Sequence, residues 1–96
     1  MLTRRRLLAL FRELDLELSR REIRGDVFVV GGAAMCVAYD ARPATRDVDA
    51  IFHPSEEVRV AAAVVARAQV GIPDDWLNDA VKGFLPGNDA GTQPVI

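Results

Sequence analysis

The spacing of apolar residues changes from block to block along the chain, and each spacing predicts an element. Between residues 4 and 24, Leu7, Leu8, Phe11, Leu14, Leu18 and Ile23 recur at steps of about three and four, which lines them along one side of a helix. Thr3 stands where an N-cap belongs. Arg4, Arg5 and Arg6 fall in the first turn, where positive charge opposes the helix dipole. Gly25 and Asp26 predict the helix end. Residues 27–30 form an uninterrupted apolar run, the pattern of a short strand covered on both faces. Gly31 and Gly32 follow at once, and residues 33–39 read as a helix of small apolar residues. Residues 40–46, DARPATR, are a polar loop stiffened by Pro43.

Residues 47–52 predict a second strand, closed by His53 and Pro54. Ser55 suits an N-cap, with Glu56 and Glu57 placed well for the dipole. The helix that follows is predicted to reach about residue 70, with Val58, Ala62, Val65, Ala66 and Gln69 along one side. Gly71 stops it, with Pro73 just beyond. Residues 73–77 predict a short helical turn capped by Asp74 or Asp75, with Trp76 and Leu77 anchored in the core. Residues 81–85 carry no assignable pattern. Residues 86–96 are rich in Gly and Pro and read as a loop-like tail, in which Val95 and Ile96 suit the start of a further strand.

Composition narrows this little. Half of the 96 residues are apolar and 27% are charged, as in an ordinary globular domain. A single domain over residues 1–96 is expected, of α/β (α+β) class, with a short mixed sheet flanked by helices. With only two clear strands the sheet reads as incomplete, to be completed by a homo-oligomeric copy or by further sequence. The net charge of −2 lacks the basic excess of a domain that binds nucleic acid through its overall field. Positive charge is local, at Arg4, Arg5, Arg6 and Arg12 and at Arg20, Arg21 and Arg24. It reads as a solvated face or as a contact for RNA phosphates or an acidic partner. Cys36 is the only cysteine and reads as a small buried hydrophobe, which fits a reducing, cytoplasmic setting. Arg12, Glu13 and Asp15 interrupt the N-terminal leucines too early for a signal sequence, and no stretch suits a membrane span.

The candidate chemistry lies between residues 27 and 52. On a strand, residues i and i+2 share a face, so Asp47 and Asp49 would project side by side. Adjacent carboxylates repel, and a cation between them relieves the repulsion. Strand, glycine turn and helix bring backbone N–H groups towards an anion, and glycine permits its close approach. Arg42 and Arg46 offer forks that match phosphate or carboxylate oxygens. The competing readings are edge-strand acids paired with those arginines, and a glycine pair that serves only a tight turn. His53, the only histidine, reads as an ordinary strand-end residue.

Gly31-Gly32, a spacer, then Asp47-Val48-Asp49 between apolar residues resembles the nucleotidyltransferase superfamily, which includes DNA polymerase beta and the CCA-adding enzymes. The wording VVGGAAMCVAYDARPATRDVDAIF is most similar to the bacterial branch of AbiEii-type toxins and their uncharacterised nucleotidyltransferase relatives. Ala44-Thr45-Arg46 ahead of Asp47 and the segment PDDWLNDAVKGFLP add to that similarity, which runs over residues 20–87. The resemblance implies that Asp47 and Asp49 hold two Mg2+ ions, which bridge an NTP and activate an acceptor hydroxyl for in-line attack. Gly31, Gly32 and the following helix would cradle the phosphates, and Arg46 would steady them. A nucleoside monophosphate would pass to an RNA, such as a tRNA, or to a protein, with loss of pyrophosphate. In a toxin–antitoxin pair the chain would be the toxin, with a cognate antitoxin as partner. The superfamily's third carboxylate, on a later strand, has no counterpart legible after Phe52, because Asp74, Asp75, Asp79 and Asp89 fall in predicted helices or loops. A second expectation follows: an inactive or incomplete relative that binds a nucleotide or a partner protein without transfer.

Overall fold

The computed structural model describes residues 2–39, 44–45, 47–79 and 93–96. The first helix, α1 (Arg4–Arg20), starts where the cap residue predicts, and the Thr3 hydroxyl accepts a hydrogen bond from the Arg6 amide at 3.2 Å. Its inward stripe is Leu7, Leu10, Phe11, Leu14 and Leu18, and Leu8 points outward. Arg4 and Arg6 are not merely solvated. They donate to the backbone carbonyls of Val37 (3.1 Å) and Val70 (3.0 Å), which tethers the start of α1 to distant chain.

The helix ends before the predicted glycine. Glu22 takes a left-handed conformation (φ 58°), the Ile23 amide reaches back to the Leu18 carbonyl (2.9 Å), and the Glu22 amide to that of Ser19 (3.0 Å). This is a Schellman cap, made here without glycine. Gly25 serves a different purpose. A Cβ built there would lie 2.9 Å from Leu18 Cδ1 and 3.3 Å from Val58 Cγ2, so glycine permits two helices to close over the chain.

The main sheet has four strands in the order β5-β4-β2-β6: β2 (Asp26–Val30), β4 (Val48–His53), β5 (Leu77–Asp79) and β6 (Gln93–Pro94). β4 runs antiparallel to β2 and parallel to β5, and β6 runs antiparallel to β2. A separate two-stranded ladder joins β1 (Leu2–Thr3) to β3 (Ala44–Thr45). The fold is thus α+β with a mixed sheet, as expected, but among the described residues the sheet has four strands where two were legible. β5 and β6 hold three and two residues, too few for an alternation to be read. Within the expected loop-like tail, residues 93–96 lie along β2, Val95 and Ile96 in keeping with the further strand expected there and β6 just ahead of them. The Val95 amide donates to Val27 O (2.8 Å), and the Val27 amide to Ile96 O (3.0 Å).

The sheet is covered by helices on one face. Val27, Val29, Val48, Ala50 and Leu77 point into the core with the stripe of α1 and with Val58, Ala61, Ala62, Val65 and Ala66 of α3 (Ser55–Arg67). The two-sided cover expected for residues 27–30 holds only in part: on the other face Val30 is buried but Phe28 is 37% exposed. Pro54, not Ser55, stands at the N-cap of α3, without a side-chain bond, and Ser55 is the first helical residue, so the helix starts one place earlier than predicted. The helix closes at Arg67, and Gly71 turns the chain with φ 81°. Trp76 is fully buried. Its indole donates to Ala62 O of α3 (2.9 Å) and meets the Phe11 ring at 5.9 Å between centroids. Cys36 is buried, as a small hydrophobe should be. No described helix is long and apolar enough to cross a membrane.

Candidate nucleotide–metal site

The site begins where β2 runs out. After Val30 the chain enters Gly31 with φ 62°, a conformation that a side chain disfavours. A Cβ on Gly31 would meet nothing within 4 Å, so glycine is required by the backbone and the space above it is open. Gly31 opens α2 (Gly31–Ala34), which continues as a π-helical segment, Met35–Tyr39. Gly32 lies within that first turn.

The β2–β4 register brings the acids to this turn. Val30 pairs with Asp49, and His53 pairs with Asp26 at the far end. The register ends at the Val30–Asp49 pair, and Asp47 precedes Asp49 by two residues along the chain, just ahead of β4. Asp47 lies in a bend and β4 begins at Val48, one residue later than the predicted strand. The Val48 amide donates to Trp76 O at 2.9 Å, which ties the start of β4 to the residue before β5. Asp47 and Asp49 are both exposed, whereas Val48 and Ala50 are wholly buried. Burial therefore alternates as the i, i+2 argument requires. Arg46 and Arg42 lie outside the described residues. His53 is four residues from Asp49 along β4, or about 13 Å at the usual strand rise, and so stands away from these acids.

β5 corrects one expectation. Asp79 is on a strand directly beside β4, not in a helix or loop. It still does not join the two acids. Asp79 is in register with buried Ala50, and its carboxylate lies 3.7 Å from the Arg59 guanidinium of α3. The residue in register with Asp49 is Asn78. Sequence reasoning overlooked Asn78, and the only available signal was the three-residue run Leu77-Asn78-Asp79 after an anchored tryptophan. A cleft of about 530 Å3 on the α3 side of β5 is bordered by Arg59, Arg67, Asp74 and Asn78. Its arginines are already paired, Arg59 with Glu56 (2.9 Å) and Arg67 with Asp74 (3.1 Å).

A scan of protein families matches residues 5–82 to the family described as nucleotidyltransferase of unknown function (DUF6036). The chain belongs to this nucleotidyltransferase family. Neither a search of curated proteins nor a search of solved structures returns a match. Nucleotidyltransferases work with a divalent metal and an NTP, which sets a test for the donors of this one. Among the described residues no three His, Cys, Asp or Glu side chains gather to hold a metal. The donors present are the carboxylates of Asp47 and Asp49, both hard oxygen ligands. Mg2+ is commonly held by one or two carboxylates together with waters and substrate phosphates, rather than by an all-protein cage. The donor set of this nucleotidyltransferase fits that mode of binding.

Proposed function

We propose that this chain is a nucleotidyltransferase in the chemical sense: it transfers a nucleoside monophosphate from an NTP to a hydroxyl of an RNA or a protein. One observation carries the reading. The β2–β4 register pairs exposed Asp49 with Val30, the residue before the Gly31 turn, and exposed Asp47 lies two residues ahead of Asp49, in a chain of a nucleotidyltransferase family. Asp47 and Asp49 would hold the divalent cation, in keeping with Mg2+. Bound there, it would neutralise triphosphate charge and make an acceptor hydroxyl more acidic. The backbone at Gly31 and Gly32 faces the phosphates without side chains in the way, and Arg46, next to Asp47, steadies them. Likeness to the AbiEii-type branch around Ala44-Thr45-Arg46 favours a toxin of a toxin–antitoxin pair acting on tRNA or on a target protein.

The test is incubation with labelled NTPs, Mg2+ and candidate tRNAs. Transfer by the wild type, lost in Asp47→Ala and Asp49→Ala, supports the proposal. Transfer that survives both substitutions sinks it. Both acids are exposed, and circular dichroism of each variant checks that it is folded.

A second reading has its own observation. Asp79 is turned to Arg59, and an amide stands beside Asp49. A module with that arrangement binds a nucleotide or partner without transferring anything. Calorimetry with ATP and Mg2+ separates the two, since binding without turnover favours the second.

A further inference from the structure

We propose that Asn78 is a third oxygen position of the Asp47/Asp49 site, and a neutral one, so that the site takes its divalent cation chiefly together with nucleotide phosphates. This inference rests on the nucleotide–metal reading above.

The placement follows from the sheet. β5 runs parallel to β4 with Val48 opposite Leu77, Asp49 opposite Asn78 and Ala50 opposite Asp79. Paired residues on neighbouring strands share a face and lie about 5 Å apart. Leu77 is buried with Val48, and Asp79 turns with Ala50 towards Arg59. Asn78 is therefore the residue of β5 that shares the face of Asp49. It is only partly buried, and among the described residues β5 is an edge strand of the sheet.

The side chain suits the place. An amide carbonyl is a hard oxygen ligand for Mg2+ or Mn2+, and the amide N–H groups can donate to a carboxylate when no cation is present. The amide adds no charge. With Asn78 neutral, the protein supplies no more than the two carboxylate charges, and affinity for hard cations rises with the number of charged ligands. Triphosphate oxygens supply the missing charge. Free metal should bind weakly and the metal–nucleotide pair firmly.

The test titrates Mn2+ into the full chain by calorimetry, without nucleotide and with a non-hydrolysable ATP analogue. Wild type, Asn78→Asp, Asn78→Ala and Asp49→Asn are compared, with circular dichroism confirming that each is folded. Asn78→Asp changes one atom type and keeps the shape, so the sheet should survive. Its nucleotide-free affinity for Mn2+ should rise about tenfold through the added charge. Asn78→Ala should weaken Mn2+ binding in the analogue complex by a similar factor. If both Asn78 variants bind Mn2+ as the wild type does while Asp49→Asn loses it, the role of Asn78 is overturned and the site stands. If Asp49→Asn also binds as wild type, the site falls and this inference with it.

Discussion

Replacing Trp76 with Phe tests how the candidate site is held to the rest of the fold. Trp76 is fully buried, its indole donates to Ala62 O of α3, and its own carbonyl accepts the amide of Val48, where β4 begins beside Asp47. Phenylalanine keeps the backbone bond and a ring against Phe11 but cannot donate. Losing the indole bond costs about 1 kcal/mol. The smaller ring buries about two fewer carbons and leaves a gap, which costs about 1 to 2 kcal/mol more. The total, about 2 to 3 kcal/mol, is a large share of the roughly 5 to 14 kcal/mol expected for a domain of this length. Urea unfolding followed by far-ultraviolet circular dichroism should show that loss with an unchanged slope, and Tm should fall by about 10 to 20 °C. Trp76→Leu, which also removes the ring contact with Phe11, should cost about 0.5 to 1.5 kcal/mol beyond that. A Trp76→Phe loss below about 0.5 kcal/mol would refute the claim that the indole fastens β5 and the start of β4 to α3.

Gly25→Ala and Gly31→Ala should both destabilise, by about 1 to 3 kcal/mol from overpacking at the first and about 1 to 2 kcal/mol from backbone strain at the second. Asparagine, which tolerates the left-handed region, should recover part of the loss at Gly31 and none at Gly25, as thermal melts would report. Glu22→Gly should stabilise the chain by about 0.5 to 1 kcal/mol, because relief of left-handed strain at φ 58° outweighs the added freedom of the unfolded chain. Urea titration of that variant is sufficient. Glu17 carries the pH prediction. The hydrogen bond from Arg21, with help from Arg20, holds its carboxyl below the ordinary value of 4.5. A depressed folded pKa contributes stability that is present above the unfolded pKa and lost as pH falls through the folded one. Glu17→Gln should therefore lower stability near neutral pH and flatten the part of the acid limb below about pH 4.5, as melts from pH 7 to 3 would show.

Several features were legible because they are written locally. The stripe of α1, the apolar side of α3, the paired strands and the spacing of Asp47 and Asp49 each follow from the period of a helix or strand. A glycine at the end of β2 likewise announced a turn that only glycine adopts readily. Other features depend on residues far apart in the chain. β5 is a strand because its backbone pairs with β4 across a helix, and β6 because it pairs with β2. Neither run is long enough to show a period. The role of Gly25 likewise belongs to Leu18 and Val58, whose approach no local pattern encodes.

The amino-acid sequence alone therefore determined α1, α3, β2, β4 and the pair of acids, since propensity and periodicity act over a few neighbouring residues. Tertiary structure alone decided which neighbours those acids have. The parallel register of β5 turned Asp79 towards Arg59 and set Asn78 opposite Asp49, and a shift of one residue would have exchanged them. That choice rests on the burial of Trp76 and Leu77 against distant helices, which the residues at 78 and 79 do not themselves specify.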